Sequence, residues 1–370
     1  NLTSKSLFTE EHYVDPAAAG LTFPERKRNL IYILLESMET AYLSKEEGGD
    51  YPRNLLPGWT ELADEHVNFS NTERYGGALQ APGTGWTVGG MIAQHMGLPL
   101  LIPIDVNSYG DRATFVPGGR ALGDILDDAG YNQILMMGSD ASFGGRGSLY
   151  RRHGDYVIKD YDTAAGDGII EEGYRVWWGF EDRFLFEYAK QEIERCAEKD
   201  EPFNFTMLTA DTHHPGGYVC PLCDDEFDEQ YANVVACSGR QVASFVSWIR
   251  RQDFYENTTV VIAGDHLSMD NEFFEEFGSD PGYTRTTLNI IINSAVDPAP
   301  SSVKNRRFAT FDLFPTTLAA MGVTWAGDRL SLGTNLFSGT PTLIEEFGFD
   351  TVSDEIQKRS DFYNHVLLGA

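Results

Sequence analysis

Three short apolar runs in this sequence stop at residues that can bind a metal ion or move a proton. Asn29-Leu-Ile-Tyr-Ile-Leu-Leu runs into Glu36, and Thr259-Val-Val-Ile-Ala-Gly runs into Asp265-His266. Phe203-Asn-Phe-Thr-Met-Leu-Thr-Ala runs into Asp211-Thr-His213-His214-Pro215. Carboxylate oxygens and imidazole nitrogens together suit divalent ions of hard to borderline character, and a histidine near its ordinary pKa suits general base work. Taken singly, each has a plain structural explanation, since a strand must end in something polar and an Asp-His pair commonly caps or pairs. Three strand ends that deliver such groups to one rim point instead to a site. A further segment, Ala81-Pro82-Gly83-Thr84-Gly85-Trp86-Thr87, forces a turn before an apolar stretch and puts Thr84 at or beside a helix N-cap. A hydroxyl there has free amide N–H groups beside it, which suits attack on phosphorus as well as simple capping.

The elements that must position these residues follow from hydrophobic periodicity. Leu30 to Leu35, Ile134 to Met137, Phe203 to Leu208, Thr259 to Ala263 and Leu288 to Ile292 read as buried central strands. Between them, Leu122, Ile125, Leu126 and Ala129, and again Val242, Phe245, Val246 and Ile249, recur at helical spacing. A further helix is expected from Asp312 to Met321, with Pro315 in its first turn. The alternation predicts an α/β fold with a central, mostly parallel sheet sandwiched by helices, and ligand sites of such sheets lie beyond the carboxyl ends of the strands. The stretch from Asp140 to Trp178, rich in Gly, Arg, Tyr and Asp, reads as long loops over that edge.

The 370 residues carry 28 basic and 56 acidic side chains, a formal charge of −28. Such a surface repels nucleic acid and anionic headgroups, so an anionic substrate needs a local positive island, such as a metal ion with an arginine or two. No apolar run approaches the roughly 20 residues of a membrane span. The four cysteines, Cys196, Cys220, Cys223 and Cys237, lie close together in the chain. Their even number favours disulfides and an oxidising compartment. The Cys220-Pro-Leu-Cys223 spacing also fits zinc, although no second such pair follows and Cys237 comes fourteen residues later.

The set Leu34-Leu-Glu36-Ser37, Gly83-Thr84, Asp211-Thr-His-His-Pro215 and Gly264-Asp265-His266 resembles the bacterial membrane-anchored phosphoglycerol transferases. These include the periplasmic glucan-directed enzymes and, more distantly, the lipoteichoic acid synthases. All belong to the sulfatase-like branch of the alkaline phosphatase superfamily. The resemblance extends through Gly90-Met-Ile-Ala, Gly97-Leu-Pro-Leu, Leu122-Gly-Asp-Ile-Leu, Trp178-Gly-Phe, Cys223, Cys237-Ser and Leu336-Phe-Ser-Gly339. It implies that Glu36, Thr84, Asp265 and His266 bind one divalent ion, commonly manganese, with zinc or magnesium as alternatives. It also implies that Thr84 carries the phosphoglycerol group covalently, that His213 assists the second nucleophile, and that Arg146 and Trp178 contact substrate. Gly144 in place of the synthases' tryptophan, and Leu267 in place of their glycine, fit the glucan-directed enzymes better.

The implied reaction takes glycerol phosphate from phosphatidylglycerol to a glycan of the cell envelope. It would run on the extracellular face of the cytoplasmic membrane, with membrane attachment through an N-terminal anchor outside this sequence. We expect an N-terminal segment over 1–28, a catalytic domain over 29–340 and a C-terminal tail or helix over 341–370. Within the cysteine group we expect a Cys223–Cys237 disulfide, with Cys196 and Cys220 as a second bridge. Rival readings are a phosphoethanolamine transferase, a sulfatase and a non-catalytic glycan-binding domain. The sulfatase lacks its Cys/Ser-x-Pro-x-Arg context here. The non-catalytic reading requires a lost ligand, and Glu36, Thr84, Asp265 and His266 are all in place.

Overall fold

The computed structural model describes residues 4–101 and 115–369. Its main sheet has seven strands: β1 (Asn29–Leu35), β2 (Gly77–Ala78), β3 (Asn132–Met137), β4 (Val157–Lys159), β5 (Phe203–Leu208), β6 (Thr258–Gly264) and β7 (Thr287–Ile292). They lie in the order β2-β7-β6-β1-β5-β3-β4. The five from β6 to β4 are parallel, while β7 runs antiparallel to β6 and β2 antiparallel to β7. All five strands expected from the apolar runs are present.

Alternation along β1 divides the interior into two cores, one on each face of the sheet. Leu30, Tyr32 and Leu34 enter the first, with Leu135, Met137, Val261 and Ile291. Ile31, Ile33 and Leu35 enter the second, with Met136, Phe205, Ile262 and Ile290. Helices α1 (Thr87–Met96), α2 (Leu122–Asp128) and α6 (Leu313–Ala320) cover the first face, burying Met91 and Ile92, Leu122 and Ile125, and Phe314 and Leu318. Helices α4 (Asp182–Ala197) and α5 (Gln230–Arg250) cover the second through Leu185, Ala189 and Ile193, and through Val235, Val242, Phe245 and Ile249. The terminal segments join the first core. Val14 bridges Ser331 and Thr22 bridges Thr324, and Leu343, Val352, Ile356 and Leu367 are buried with the α6 residues. Residues 1–3 of the expected N-terminal segment lie outside the described residues. Among the described residues no helix is long and apolar enough to cross a membrane.

The stretch from Asp140 to Trp178 is not loop throughout, as expected, but holds helix α3 (Arg146–Arg152) and edge strand β4. Gly144 and Gly145, at φ 66° and 75°, turn the chain directly into α3, and only Leu149 and Tyr150 supply its large apolar contacts. With only two large apolar residues, adjacent in sequence, it shows no amphipathic period to read.

Parallel register sets the site. Leu35 of β1 pairs with Gly264 of β6, so the next residues, Glu36 and Asp265, leave the sheet side by side. Leu34 pairs with Leu208 on the other flank, which brings Thr209 to the same edge. Helix α1 packs so closely over β6 that a Cβ on Gly90 would stand 2.2 Å from the Asp265 carbonyl oxygen. An alanine in a helix interior ordinarily stabilises by about 1 kcal/mol over glycine. Gly90→Ala should instead lower the melting temperature, through an overpacking cost of about 1–3 kcal/mol. Thermal unfolding reads the sign directly, and a raised melting temperature would contradict this packing.

Candidate active site

Glu36, Asp265 and His266 are buried together, with one ligating atom of each within 4.8 Å of the others. His266 Nε2 lies 3.2 Å from Glu36 Oε1 and 3.4 Å from Asp265 Oδ2. The other ring nitrogen, Nδ1, is 2.7 Å from the Leu267 carbonyl oxygen, which can only accept. Nδ1 therefore donates, and Nε2 is the atom turned towards the two carboxylates. Asp265 Oδ1 accepts from Ser37 N at 2.9 Å and from His266 N at 2.8 Å. Asp265 Oδ2 is buried and accepts no hydrogen bond. Glu36 is held by Thr209 Oγ1 on its amide at 3.0 Å, and Ser37, at φ 56°, turns back to donate to Glu36 Oε1 at 3.1 Å.

The charges of this group demand a cation. Burial and the neighbouring Glu36 push the Asp265 carboxyl well above its usual range. Burial also acts to raise Glu36, but the His266 ring holds it below the usual carboxylate range. Burial opposes charge on His266, yet Asp265 and Glu36 outweigh it and lift the imidazolium to about 10. Two buried carboxylates side by side thus draw positive charge to the space between them, and a divalent ion answers the same need. The donor set, with its orphaned Asp265 oxygen and its imidazole fixed by a carbonyl, fits such an ion.

Thr84 is not where the sequence reading placed it. The residue is 1% exposed, its hydroxyl donates to Ala81 O at 2.6 Å, and it does not line the cavity beside Glu36 and His266. Helix α1 starts one turn later, at Thr87, after an extended Trp86. Thr87 Oγ1 donates to Glu36 Oε2 at 3.2 Å and faces that cavity. Sequence reasoning missed Thr87. The helical spacing of Val88, Met91 and Ile92 marks the helix but does not choose between the two threonines as its first residue.

The cavity, of about 380 Å³, joins Glu36, Thr87 and His266 to Arg146, Trp178 and His213. His213 Nδ1 is 2.6 Å from the His214 carbonyl oxygen, which can only accept, so Nδ1 donates there and Nε2 is the ring nitrogen left for other partners. Trp178 stands edge-on to that ring with centroids 5.1 Å apart, and Phe143 lies 6.0 Å from Trp178. Arg146 is buried, and its guanidinium donates to Phe143 O at 2.8 Å, Ser139 Oγ at 3.0 Å and Asp140 O at 2.6 Å. Burial lowers it to about 10, which leaves it charged at neutral pH. Three further residues went unread in the sequence. Arg175 lines the cavity. Behind the ligands, Arg285 grips Glu39 at 2.7 and 2.6 Å, while Glu39 Oε2 accepts from Ser268 N at 2.7 Å. That pair anchors the loop after His266.

The cysteines correct the expected disulfides. All four are free, and Cys220, Cys223 and Cys237 form one group. Cys196 lies in the second core on α4, outside that group. Neither the Cys223–Cys237 nor the Cys196–Cys220 bridge is formed.

The family model for the sulfatases matches residues 28–323, and the chain belongs to that family. Phosphoglycerol transferase I of Xanthomonas campestris pv. campestris (strain B100) is 32% identical over 301 residues, which is 80% of this chain and 41% of that protein. The protein of the same name in Salmonella choleraesuis (strain SC-B67) is 30% identical over 338 residues, 89% of this chain and 41% of its own. The chain thus spans about two fifths of the length of these relatives. Among solved structures, the lipoteichoic acid synthase LtaP of Listeria monocytogenes is similar at TM-score 0.66 and 16% identity, over 90% of this chain and 82% of its own. The C-terminal periplasmic domain of EptC from Escherichia coli, in complex with Zn, follows at TM-score 0.58 and 14% identity, over 87% and 91%. These likenesses show the alkaline phosphatase superfamily fold.

A divalent ion that binds this site should raise the melting temperature by mass action, by about 2.7 kcal/mol of stability at 100 times its dissociation constant. Manganese(II), which oxygen-rich donor sets accept, is the probe. The shift should be present in the chain as it stands and absent in His266→Ala. An equal shift in both would place the ion elsewhere.

Proposed function

We propose that this chain is the catalytic domain of a metal-dependent phosphoglycerol transferase. In this reading it moves glycerol phosphate from phosphatidylglycerol to an envelope glycan on the extracytoplasmic face of a membrane. The observation that carries the mechanism is the Thr87 hydroxyl at the start of α1, bonded to Glu36 and open to the cavity. Thr87 replaces Thr84 as the nucleophile. Glu36, Asp265 and His266 would hold one divalent ion, manganese by resemblance, with Thr87 beside it.

When bound, the ion lowers the pKa of a neighbouring hydroxyl and offsets charge on a phosphoryl oxygen. The remaining work falls to the protein. Thr87 Oγ1 attacks the phosphodiester, the phosphorus–oxygen bond to diacylglycerol breaks, and the proton lost from Thr87 ends on the departing diacylglycerol oxygen, leaving glycerophosphoryl-threonine. Amides at the start of α1 face the charge that develops on phosphorus. Arg146 holds a fixed positive charge on the opposite wall. His213 Nε2 takes the proton of an incoming sugar hydroxyl, whose oxygen bonds to phosphorus as the phosphorus–oxygen bond to Thr87 breaks, and that proton then passes to Thr87 Oγ1 to restore the hydroxyl. Trp178 and Phe143 offer apolar faces on which a sugar ring or glycerol chain can lie.

The phosphoethanolamine transferase reading also uses a threonine nucleophile, so donor choice is what separates the two. Mass spectrometry of the protein after exposure to phosphatidylglycerol should find a glycerophosphoryl adduct on Thr87. Thr87→Ala should abolish both adduct and diacylglycerol release, by many orders of magnitude in rate, with a small change in melting temperature. Thr84→Ala should behave oppositely, costing about 1 kcal/mol for its lost hydrogen bond while turnover persists. Adduct on Thr84, or turnover by Thr87→Ala, would overturn the assignment.

A further inference from the structure

Away from the active site, the chain after His213 returns to helix α5 and brings three sulfurs together. Cys220 Sγ lies 3.7 Å from Cys223 Sγ and 3.8 Å from Cys237 Sγ, and all three are mutually within 4.8 Å. A tetrahedral zinc ion with Zn–S bonds of about 2.3 Å requires sulfur-to-sulfur edges of roughly 3.8 Å. A disulfide brings its sulfurs to about 2.05 Å and consumes them in pairs, leaving one of three over.

The turn itself is built for thiolate. Cys223 N donates to Cys220 O at 3.0 Å and closes the Cys-Pro-Leu-Cys turn. The backbone N–H groups of Leu222 and Cys223 point at the Cys220 sulfur, and Cys220 N points at Cys223 Sγ at 3.3 Å. Amides aimed at sulfur stabilise negative charge there, as zinc-bound thiolates need. Cys237 projects from the middle of α5, and Gln241, one turn on, sets its amide nitrogen 3.4 Å from Cys237 Sγ and 3.9 Å from Cys220 Sγ. Gln241 Oε1 is buried with no partner. Turning the amide over about its terminal torsion, which is broad and roughly two-fold, would present that orphaned oxygen to the sulfurs as a fourth donor. Cys220 and Cys237 are buried and Cys223 half-buried, so the site has one side open for an ion to enter.

We propose that Cys220, Cys223 and Cys237 hold one zinc ion, with Gln241 at its fourth position, as a structural clamp separate from the active site. Zinc binding displaces the remaining thiol protons to solvent and changes no oxidation state. The clamp would tie the segment that carries His213 and His214 to α5, fixing the far wall of the cavity without touching substrate.

The test uses cobalt(II) alone, added to the metal-stripped, reduced chain, because cobalt bound to thiolate gives a near-ultraviolet charge-transfer band that oxygen and nitrogen ligands do not. The band should appear in the unaltered chain and persist in His266→Ala, which disables the proposed active-site metal. It should be lost in Cys223→Ser, while Cys196→Ser keeps it. Elemental analysis of His266→Ala should find one zinc per chain, and native thiol titration should expose three thiols only after chelation. A missing band in the unaltered chain overturns the proposal, whatever the folding of the cysteine variants. So does peptide mapping that finds two of the three cysteines joined and the protein two hydrogens lighter. Loss of manganese binding in His266→Ala with the cobalt band intact would confirm that the two sites stand or fall separately.

Discussion

The parallel pairing of β1 with β6, which sets Leu35 opposite Gly264, is the constraint on which the rest of the site depends. Because both strands run the same way and end at the same level, Glu36 and Asp265 emerge as neighbours at the carboxyl edge. Two carboxylates buried this closely repel, and neither is compensated by the sheet that delivers them. The structure answers with His266 against both and with peptide N–H groups on Asp265 Oδ1. One oxygen, Asp265 Oδ2, has no hydrogen bond. A one-residue slip of β1 against β6 would turn Glu36 to the opposite face of the sheet and break up the cluster.

The central strands were legible in the sequence because they are buried on both faces and read as unbroken apolar runs. Their direction was not, since the run Leu288 to Ile292 looks the same parallel or antiparallel, and β7 is antiparallel. Strands β2 and β4, two and three residues long, carry no pattern of their own and exist through their partners. The cluster of Glu36, Asp265 and His266 was legible because polar residues follow apolar runs directly. Thr84 and Thr87 lie one turn apart in a segment bent by Pro82 and glycines, so either could have begun the helix. The decision rests on backbone detail: Trp86 is extended and Gly83 takes φ 78°. Cysteine count favoured disulfides, but count says nothing of where Cys237 projects from its helix.

Support from behind matters as much as the ligands. Glu39 follows Glu36 by three residues and faces away from the cavity, where Arg285 and Ser268 bind it. Since β7 begins two residues after Arg285, this ion pair links the turn after β1 to the loop after β6 through a third strand. Its charges are matched, so it contributes rigidity to the ligand loop without altering the net charge that a substrate meets.

Arg146 shows the opposite arrangement, and the contrast explains how a chain of formal charge −28 can receive an anion. Arg285 is neutralised by the Glu39 carboxylate it grips. The three bonds described for Arg146 all go to neutral acceptors: two peptide carbonyls and a serine hydroxyl. Carbonyl dipoles orient a guanidinium and offset its lost hydration without cancelling its charge, and the carboxylates of Asp140 and Asp160 act on it only through space. On the cavity wall, within electrostatic reach of Glu36, Asp140 and Asp160, that charge would be available, on the proposed function, to a phosphate near Glu36 and His266. The acidic surface then acts as a filter: phosphate is attracted over the short range of the cavity, where water is few and charges are weakly screened, and repelled elsewhere on the protein.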